Sequence, residues 1–366
     1  MTPATDPSVR RAVAEAIRDH GPITFARYME IALYGPGGFY ERPPVGPGGA
    51  FVTAPHIHPV FAELLARGLR RMWEDLGRPD PMHLCEVGAG DGTLAIQLLR
   101  HLGDLPLNYT AVERSPGALV ELAEIPGVRA STELPADPHL ILANELLDNL
   151  PFRRVRMGPD GPQEIRVGLE GDRLVEVLSP PDDPTREAAE GLLEGDDGVI
   201  AEGALAFADT LGTSLSHGYA LLIDYGSEGG GGGGTHGYRD HRMIEDLLED
   251  PGAADLTAGV DFAAVARRAR AGGLQAFGSV AQRRALAALG FDGWARRELE
   301  RQHELLDARD GLEAVRAWSA RSKATLLVDP AALGRFRWLL LGSPGLPMPA
   351  WLATASEEEP PAHPEP

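Results

Sequence analysis

The sequence predicts an α/β chain built around a parallel, doubly wound sheet, and three observations predict it. Strand-length apolar runs alternate with helix-length amphipathic runs through the middle of the chain. The first apolar run, HLCEV, ends in a glycine turn, GAGDG, that opens the next helix. The second, YTAVE, closes on a carboxylate, Glu113, about twenty-five residues further on. Such alternation demands right-handed crossovers and places a ligand crevice at the carboxyl ends of the strands.

The elements follow in order. Residues 7 to 20 form a helix opened by Pro7, striped by Val9, Val13, Ala16 and Ile17, and closed by Gly21. A second helix runs from Thr24 to about Leu33, before Gly- and Pro-rich turns between Gly35 and Gly49. A longer helix from Pro59 to Leu76 carries Phe61, Leu64, Leu65, Leu69 and Trp73 at helical spacing. Then HLCEV leads to a helix through TLAIQLLRHL, YTAVE to a helix through ALVELAEI, and VRAS to the strand of HLILANELL. FRRVRM, EIRVGL and RLVEVL, separated by Gly, Pro and Asp, read as inserted antiparallel strands. A helix from about Ile200 to Leu215 returns the chain to a buried strand, YALLIDYG. The tract Gly229 to Gly234 lacks a following Lys-Ser/Thr and reads as a loop. Helices dominate from Asp261 to Ser322 around a strand at LQAFGSV, and FRWLLLG can finish the sheet. The tail SEEEPPAHPEP is polar and expected to be disordered.

The expected organisation is an N-terminal helical extension and covering segment over 1–58, then a main domain over 59–350. Insertions fall at about 152–200 and 229–322, and a disordered tail occupies 354–366. The formal net charge of -20 argues against nucleic acid, whose phosphates need a basic surface; it suits a basic protein segment as partner, with a plain solvated acidic surface as the alternative. A single cysteine, Cys85, excludes an internal disulfide. No run is long and apolar enough for a signal peptide or a membrane span. These features lead to the expectation of a cytoplasmic protein with no membrane partner.

The turn carries the chemistry. Gly88, Gly90 and Gly92 follow Glu86 in the spacing E-x-G-x-G-x-G. A dinucleotide fold uses G-x-G-x-x-G around a pyrophosphate, which Glu86 would repel. A carboxylate there suits a cationic ligand, and S-adenosylmethionine offers an ammonium and a sulfonium. Glu113 stands where an acid binds ribose hydroxyls, with a solvated strand end as the alternative. A plain strand–helix junction is the alternative for the turn. The run ILANELLDNLP brings Asn144, Glu145 and Asp148 to the carboxyl end of a third strand, where they can hold a cationic methyl acceptor and remove its proton. Helix capping is the alternative for Asn144 and Asp148. His236, Asp240 and His241 lack metal spacing and read as a solvated loop. Arg267, Arg268 and Arg270 read as a solvated helix face.

ITFARYMEIALYGPGGFY, FVTAP, EVGAGDGTL, ANELLDNLP, LLIDYG, GTHGYRDH and DLTAGVDF occur in this order. Together they resemble the MidA-like family, which includes an arginine-methylating assembly factor of mitochondrial complex I. The resemblance covers roughly residues 15 to 345. It implies a Rossmann-like class I methyltransferase sheet with an N-terminal helical extension and inserted elements, and S-adenosylmethionine as methyl donor. By motif it implies cofactor contacts at Glu86, Gly88, Gly90 and Glu113, with Thr53 and Pro55 on a segment closing over the cofactor. It implies acceptor-side roles for Asn144, Glu145 and Asp148, and places Asp224 and Tyr225 at a further strand end near the cleft. The chain departs from the family at Ala50, where an Asp is usual, at His56, where an acid is common, and at Gly259, where a His is frequent. The implied reaction is methylation of a protein arginine, with a respiratory complex I subunit as acceptor. A homodimer is one assembly that the sequence leaves open. A peptide or small-molecule acceptor, a non-catalytic assembly factor and a dehydrogenase are the rival readings. No metal is expected.

Overall fold

The computed structural model describes residues 7–41, 53–190, 192–229, 234–239 and 242–357. Its centre is a seven-stranded sheet in the order Gln275–Ala281, Arg337–Gly342, Tyr219–Asp224, Leu140–Asn144, Met82–Val87, Leu107–Val112, Val128–Ser131. The last five in this order are mutually parallel. Arg337–Gly342 runs antiparallel to both of its neighbours. The sequence shows that strand's burial but not its direction, because alternation along a strand reports its two faces only.

Both faces are covered, and the strands say so residue by residue. Leu140, Leu142, Leu221 and Ile223 join the core under helix Val60–Asp75, while Ile141, Ala143, Ala220 and Leu222 join the core under helices Glu202–Ser214 and Phe262–Ala271. Burying each large aliphatic side chain stabilises the fold by about 1.5–3 kcal/mol. These strands therefore read as continuous apolar runs.

A second sheet is antiparallel and comprises Arg153–Gly158, Gly161–Glu170, Arg173–Ser179 and Asp197–Ile200. The short strand Ile23–Thr24 pairs with Gly161–Glu170. Helices Pro7–His20 and Phe25–Tyr34 pack their stripes on this sheet, where Val9, Val13, Phe25 and Met29 share one core with Phe152, Val167 and Leu174. The N-terminal helices and the inserted strands thus form one packed layer, although more than a hundred residues separate them in the chain.

A three-stranded sheet holds Thr235–Arg239 between Arg242–Ile244 and Asp255–Ala258. The reading of His236 as part of a solvated loop is corrected here, since Gly237 and the flanking charges hide a strand whose alternation is weak. Asp240, His241 and Ala50 lie outside the described residues. Helix Ala350–Ser356 buries Trp351, Leu352 and Ala355, so the segment read as a tail begins inside a helix. Arg268 pairs with Asp209 through two hydrogen bonds of 2.7 Å each, and Arg270 donates to the carbonyl of Ala276, on the helix read as a solvated face. No described helix is long and apolar enough to cross a membrane.

Candidate active site

The glycine turn needs its glycines because the backbone is left-handed at each: φ is +73° at Gly88, +55° at Gly90 and +76° at Gly92. An L residue pays roughly 1–2 kcal/mol to enter that region. Space is also short. A Cβ at Gly88 would stand 2.9 Å from Leu146 Cδ1, and one at Gly92 would stand 2.3 Å from Ile125 Cδ1. The Gly88 amide donates to the Val112 carbonyl at 2.9 Å, and the Gly90 amide donates to Glu113 Oε2 at 3.0 Å. Glu113 Oε1 accepts from the amides of Arg114 (2.6 Å) and Ser115 (3.1 Å). One carboxylate therefore ties the turn to the end of the next strand.

Glu86 faces elsewhere. It shares a strand face with Leu84, is 3% exposed, and accepts from the Tyr109 hydroxyl at 2.5 Å. Burial pushes its carboxyl up to about 8. It braces the strand beneath the turn and is not among the residues lining the cavity.

That cavity, of about 540 Å³, opens at the carboxyl ends of the parallel strands. Thr53, Gly88, Gly90, Glu113 and Ser115 line one part of it. Glu145, Asp148, Tyr225 and Asp255 line another, with Tyr34, Tyr40, Tyr238 and Phe336 adding aromatic wall.

Glu145 has φ +54°, uncommon for a side chain of this size. The turn is fixed by its amide, which donates to the Ile223 carbonyl at 2.7 Å. Glu145 Oε1 accepts from the Ala54 amide at 2.9 Å and from Asn144 Nδ2 at 3.1 Å. The helix Ala54–Ile57 has no side-chain cap from Thr53, so Glu145 satisfies its first amide across the cleft. Burial pushes the Glu145 carboxyl up to about 7. Two more ties hold the same segment. His56 Nε2 pairs with Asp91 Oδ2 at 2.9 Å, and Gln97 Nε2 donates to the Pro55 carbonyl at 3.1 Å. Burial raises the Asp91 carboxyl, but the hydrogen bonds from His56 and Thr93 outweigh it and hold that carboxyl below its usual range. His56 Nδ1 also lies 2.9 Å from Thr53 Oγ1. The segment carrying Thr53 and Pro55 is thus fastened to the glycine turn and to Glu145.

Asp148 sits on the turn Leu147–Asn149. Asp224 Oδ2 accepts the amides of Leu147 (2.8 Å) and Asp148 (3.2 Å), and its Oδ1 accepts the Tyr225 amide (2.8 Å). Asp224 is buried beneath that turn and holds it, with its carboxyl pushed up to about 7 by burial. Asp148 itself is 9% exposed, and its Oδ1 is buried without a partner among the described residues. Burial, and then the neighbouring Asp224 and Asp255 carboxylates, push its carboxyl well above the usual range. Asp255 is pushed up to about 6 by burial.

Of the residues the sequence nominated, Thr53, Gly88, Gly90, Glu113, Glu145, Asp148 and Tyr225 all line this one cavity. Glu86, Pro55, Asn144 and Asp224 stand behind the wall. Sequence reasoning did not assign Asp255, Tyr34, Tyr40 or Tyr238. Their signal was present in DLTAG, in ALYGPGGFY and in GTHGYRDH, which were used only as family markers. Among the described residues no cluster of His, Cys, Asp and Glu is arranged to hold a metal.

A doubly wound sheet, a left-handed glycine cradle and an acid at the next strand end facing one cavity define a Rossmann-like, S-adenosylmethionine-dependent methyltransferase of class I. The cradle's missing Cβ atoms and the carboxylate at Glu113 fit that cofactor. The chain belongs to the family described as "Putative S-adenosyl-L-methionine-dependent methyltransferase", whose model matches residues 64–280. It is similar to protein arginine methyltransferase NDUFAF7, mitochondrial, of Danio rerio, with 28% identity over 90% of this chain and 86% of the relative. The Homo sapiens protein of the same name is 29% identical over 79% of this chain and 75% of the relative. A Burkholderia thailandensis protein solved with S-adenosyl-homocysteine bound superposes with a TM-score of 0.80 at 27% identity, covering 93% of this chain and 92% of that one. The curated relatives are labelled mitochondrial, which overturns the expectation of a cytoplasmic protein. That expectation rested on one cysteine and the lack of an apolar leader, and neither feature specifies a compartment.

Proposed function

We propose that this chain methylates an arginine side chain of a protein acceptor. The observation that carries the reading is the surplus of buried carboxylate around the cavity. Glu145, Asp148, Asp224 and Asp255 gather there, and each is pushed above its usual range by burial. A site that holds several carboxylates out of water is at its best when a cation binds among them. A guanidinium supplies that charge, and the relatives named above are arginine methyltransferases.

S-adenosylmethionine, when bound, supplies an activated methyl group. On this reading Gly88 and Gly90 let it approach the backbone, Glu113 receives its ribose hydroxyls, and Thr53 covers it from the segment that Glu145 and His56 hold in place. Asp148 orients the acceptor nitrogen and takes the proton that must leave it on methylation. The aromatic wall excludes water and sharpens these electrostatic contacts. Glu145 acts mainly by positioning the covering segment, and Asn144 by orienting Glu145. The acceptor we favour is a subunit of respiratory complex I, as the family resemblance implies.

The test is transfer of a labelled methyl group from S-adenosylmethionine to purified complex I subunits, with the modified residue located by mass spectrometry. Label on arginine is the expected result. Label on lysine or on a small molecule alone would reject the reading.

A further inference from the structure

We propose that Asp255 and Asp148 together form a two-carboxylate clamp for a planar guanidinium, set against the tyrosine-lined wall of the cavity. The inference rests on the methyl-acceptor reading and names the part of the site that selects the acceptor.

Three hydrogen bonds aim Asp255, and all fall on one of its oxygens. Oδ1 accepts from the Tyr40 hydroxyl at 2.8 Å, from Asn149 Nδ2 at 2.8 Å and from the Leu256 amide at 3.0 Å. Those donors come from three separate segments, so the carboxylate is locked in orientation. No hydrogen bond falls on its other oxygen among the described residues, and Asp255 lines the cavity. Asp148 supplies the independent sign that a ligand belongs here. More than nine-tenths of it is buried, it lines the same cavity, and its Oδ1 has no partner among the described residues. The Asp148 amide is already used by Asp224, which fixes the turn from behind. Neither Asp148 nor Asp255 has an ion pair with Lys or Arg among the described residues, although Arg335 lines the same cavity.

Two carboxylates carried on different elements suit a cation that is flat and forked. Guanidinium offers five N–H donors in a rigid plane, so it can meet both acids at once. An ammonium is a compact, strongly hydrated point charge and gains less from the second acid. The wall favours the same choice. Tyr34 and Tyr40 stack with centroids 5.3 Å apart and planes 12° apart, and the guanidinium of Arg114 already lies 4.5 Å from the Tyr34 centroid. Tyr225, held by Thr257 Oγ1 at 2.7 Å, adds a further ring beside the acids.

The experiment uses the full chain saturated with S-adenosyl-homocysteine, titrated by calorimetry with the amides of Nα-acetyl-arginine, Nα-acetyl-lysine and Nα-acetyl-citrulline. The arginine probe should bind at least about tenfold more tightly than either other probe. Asp255→Asn and Asp148→Asn should each weaken it about tenfold or more, with S-adenosyl-homocysteine affinity within about twofold as the control for folding. Tyr40→Phe, which removes one aiming bond and keeps the ring, should weaken it a few-fold. Equal binding of arginine and lysine probes, no binding of the arginine probe to the wild type, or full affinity in Asp255→Asn overturns the clamp. The methyl-transfer assay is read separately. Label on protein arginine with an unaltered acceptor KM in Asp255→Asn removes the clamp and leaves the function standing, whereas label only on lysine removes both.

Discussion

The two sides of the cavity use carboxylates in opposite ways. On the glycine side, Glu113 accepts three backbone amides, and the turn, strand and acid all lie within residues 86 to 115. On the acid side, one oxygen of Asp148 has no partner among the described residues, and its neighbours come from segments as distant as Tyr40 and Asp255. The first side is finished by its own backbone. The second holds charge out of water at a cost that a cationic ligand would relieve. The contrast separates a part built to cradle a common cofactor from a part built to choose an acceptor.

Breaking the acid side should have the largest effect. Asp148→Asn should lower kcat by about 10²–10⁴-fold, the range expected for losing an acid–base group. The affinity for S-adenosylmethionine, measured by calorimetry, should stay within about twofold. A parallel loss of cofactor affinity would show that the two sides are not separable.

Breaking the glycine side comes next. Gly88→Val forces a β-branched residue to φ +73° and pushes its Cβ against Leu146. Strain of roughly 1–2 kcal/mol, with crowding of about 1–3 kcal/mol, predicts a Kd for S-adenosylmethionine weaker by on the order of 100-fold.

The pH dependence sharpens the comparison, since the raised carboxyls of the cavity wall cluster on one side. A carboxyl whose folded value lies above its unfolded value favours the fold when protonated. That contribution is complete below the ordinary carboxylate range and is lost as pH rises through the folded values. Asp255 at about 6, with Glu145 and Asp224 at about 7, set the window, and Glu86 at about 8 extends it from behind the wall. The ligand-free Tm should therefore fall between pH 5 and pH 8 for this reason, and Asp148→Asn should flatten the slope. Acceptor binding should run the other way and tighten about tenfold as the acids ionise, with protons released in the calorimeter. A pH-independent acceptor affinity would remove the electrostatic account of the acid side.

The smallest effect is expected where the two sides are joined. Glu145→Gln keeps an oxygen for the Ala54 amide but loses its charge, so about 0.5–1.5 kcal/mol is at stake. Cofactor affinity should fall only a few-fold, and hydrogen exchange at Ala54 should quicken.

Much of the main sheet was legible because its signals are local. HLCEV, YTAVE and YALLIDYG read as strands from their apolar runs, and the left-handed turn was legible from Gly88, Gly90 and Gly92 alone. The strand Thr235–Arg239 was not legible, because Gly237 and flanking polar residues dilute its period and its stability comes from pairing with Asp255–Ala258. The antiparallel direction of Arg337–Gly342 was hidden for a related reason, since direction is a property of the pair and not of the strand. In the site, Glu86 illustrates the limit. Its place before the glycines suggested a ligand contact, but strand alternation turns its side chain toward Tyr109.

The sequence by itself determined the sheet's strands, the glycine cradle and the acid at the next strand end, because each depends on residues adjacent in the chain and on backbone geometry. Only the tertiary structure decided that Glu145 caps the covering segment, that Asp224 sits beneath Asp148, and that Asp255 and Tyr40 complete the acid side. A carboxylate's role depends on its solvation and on the groups that face it, and folding brings both from far along the chain.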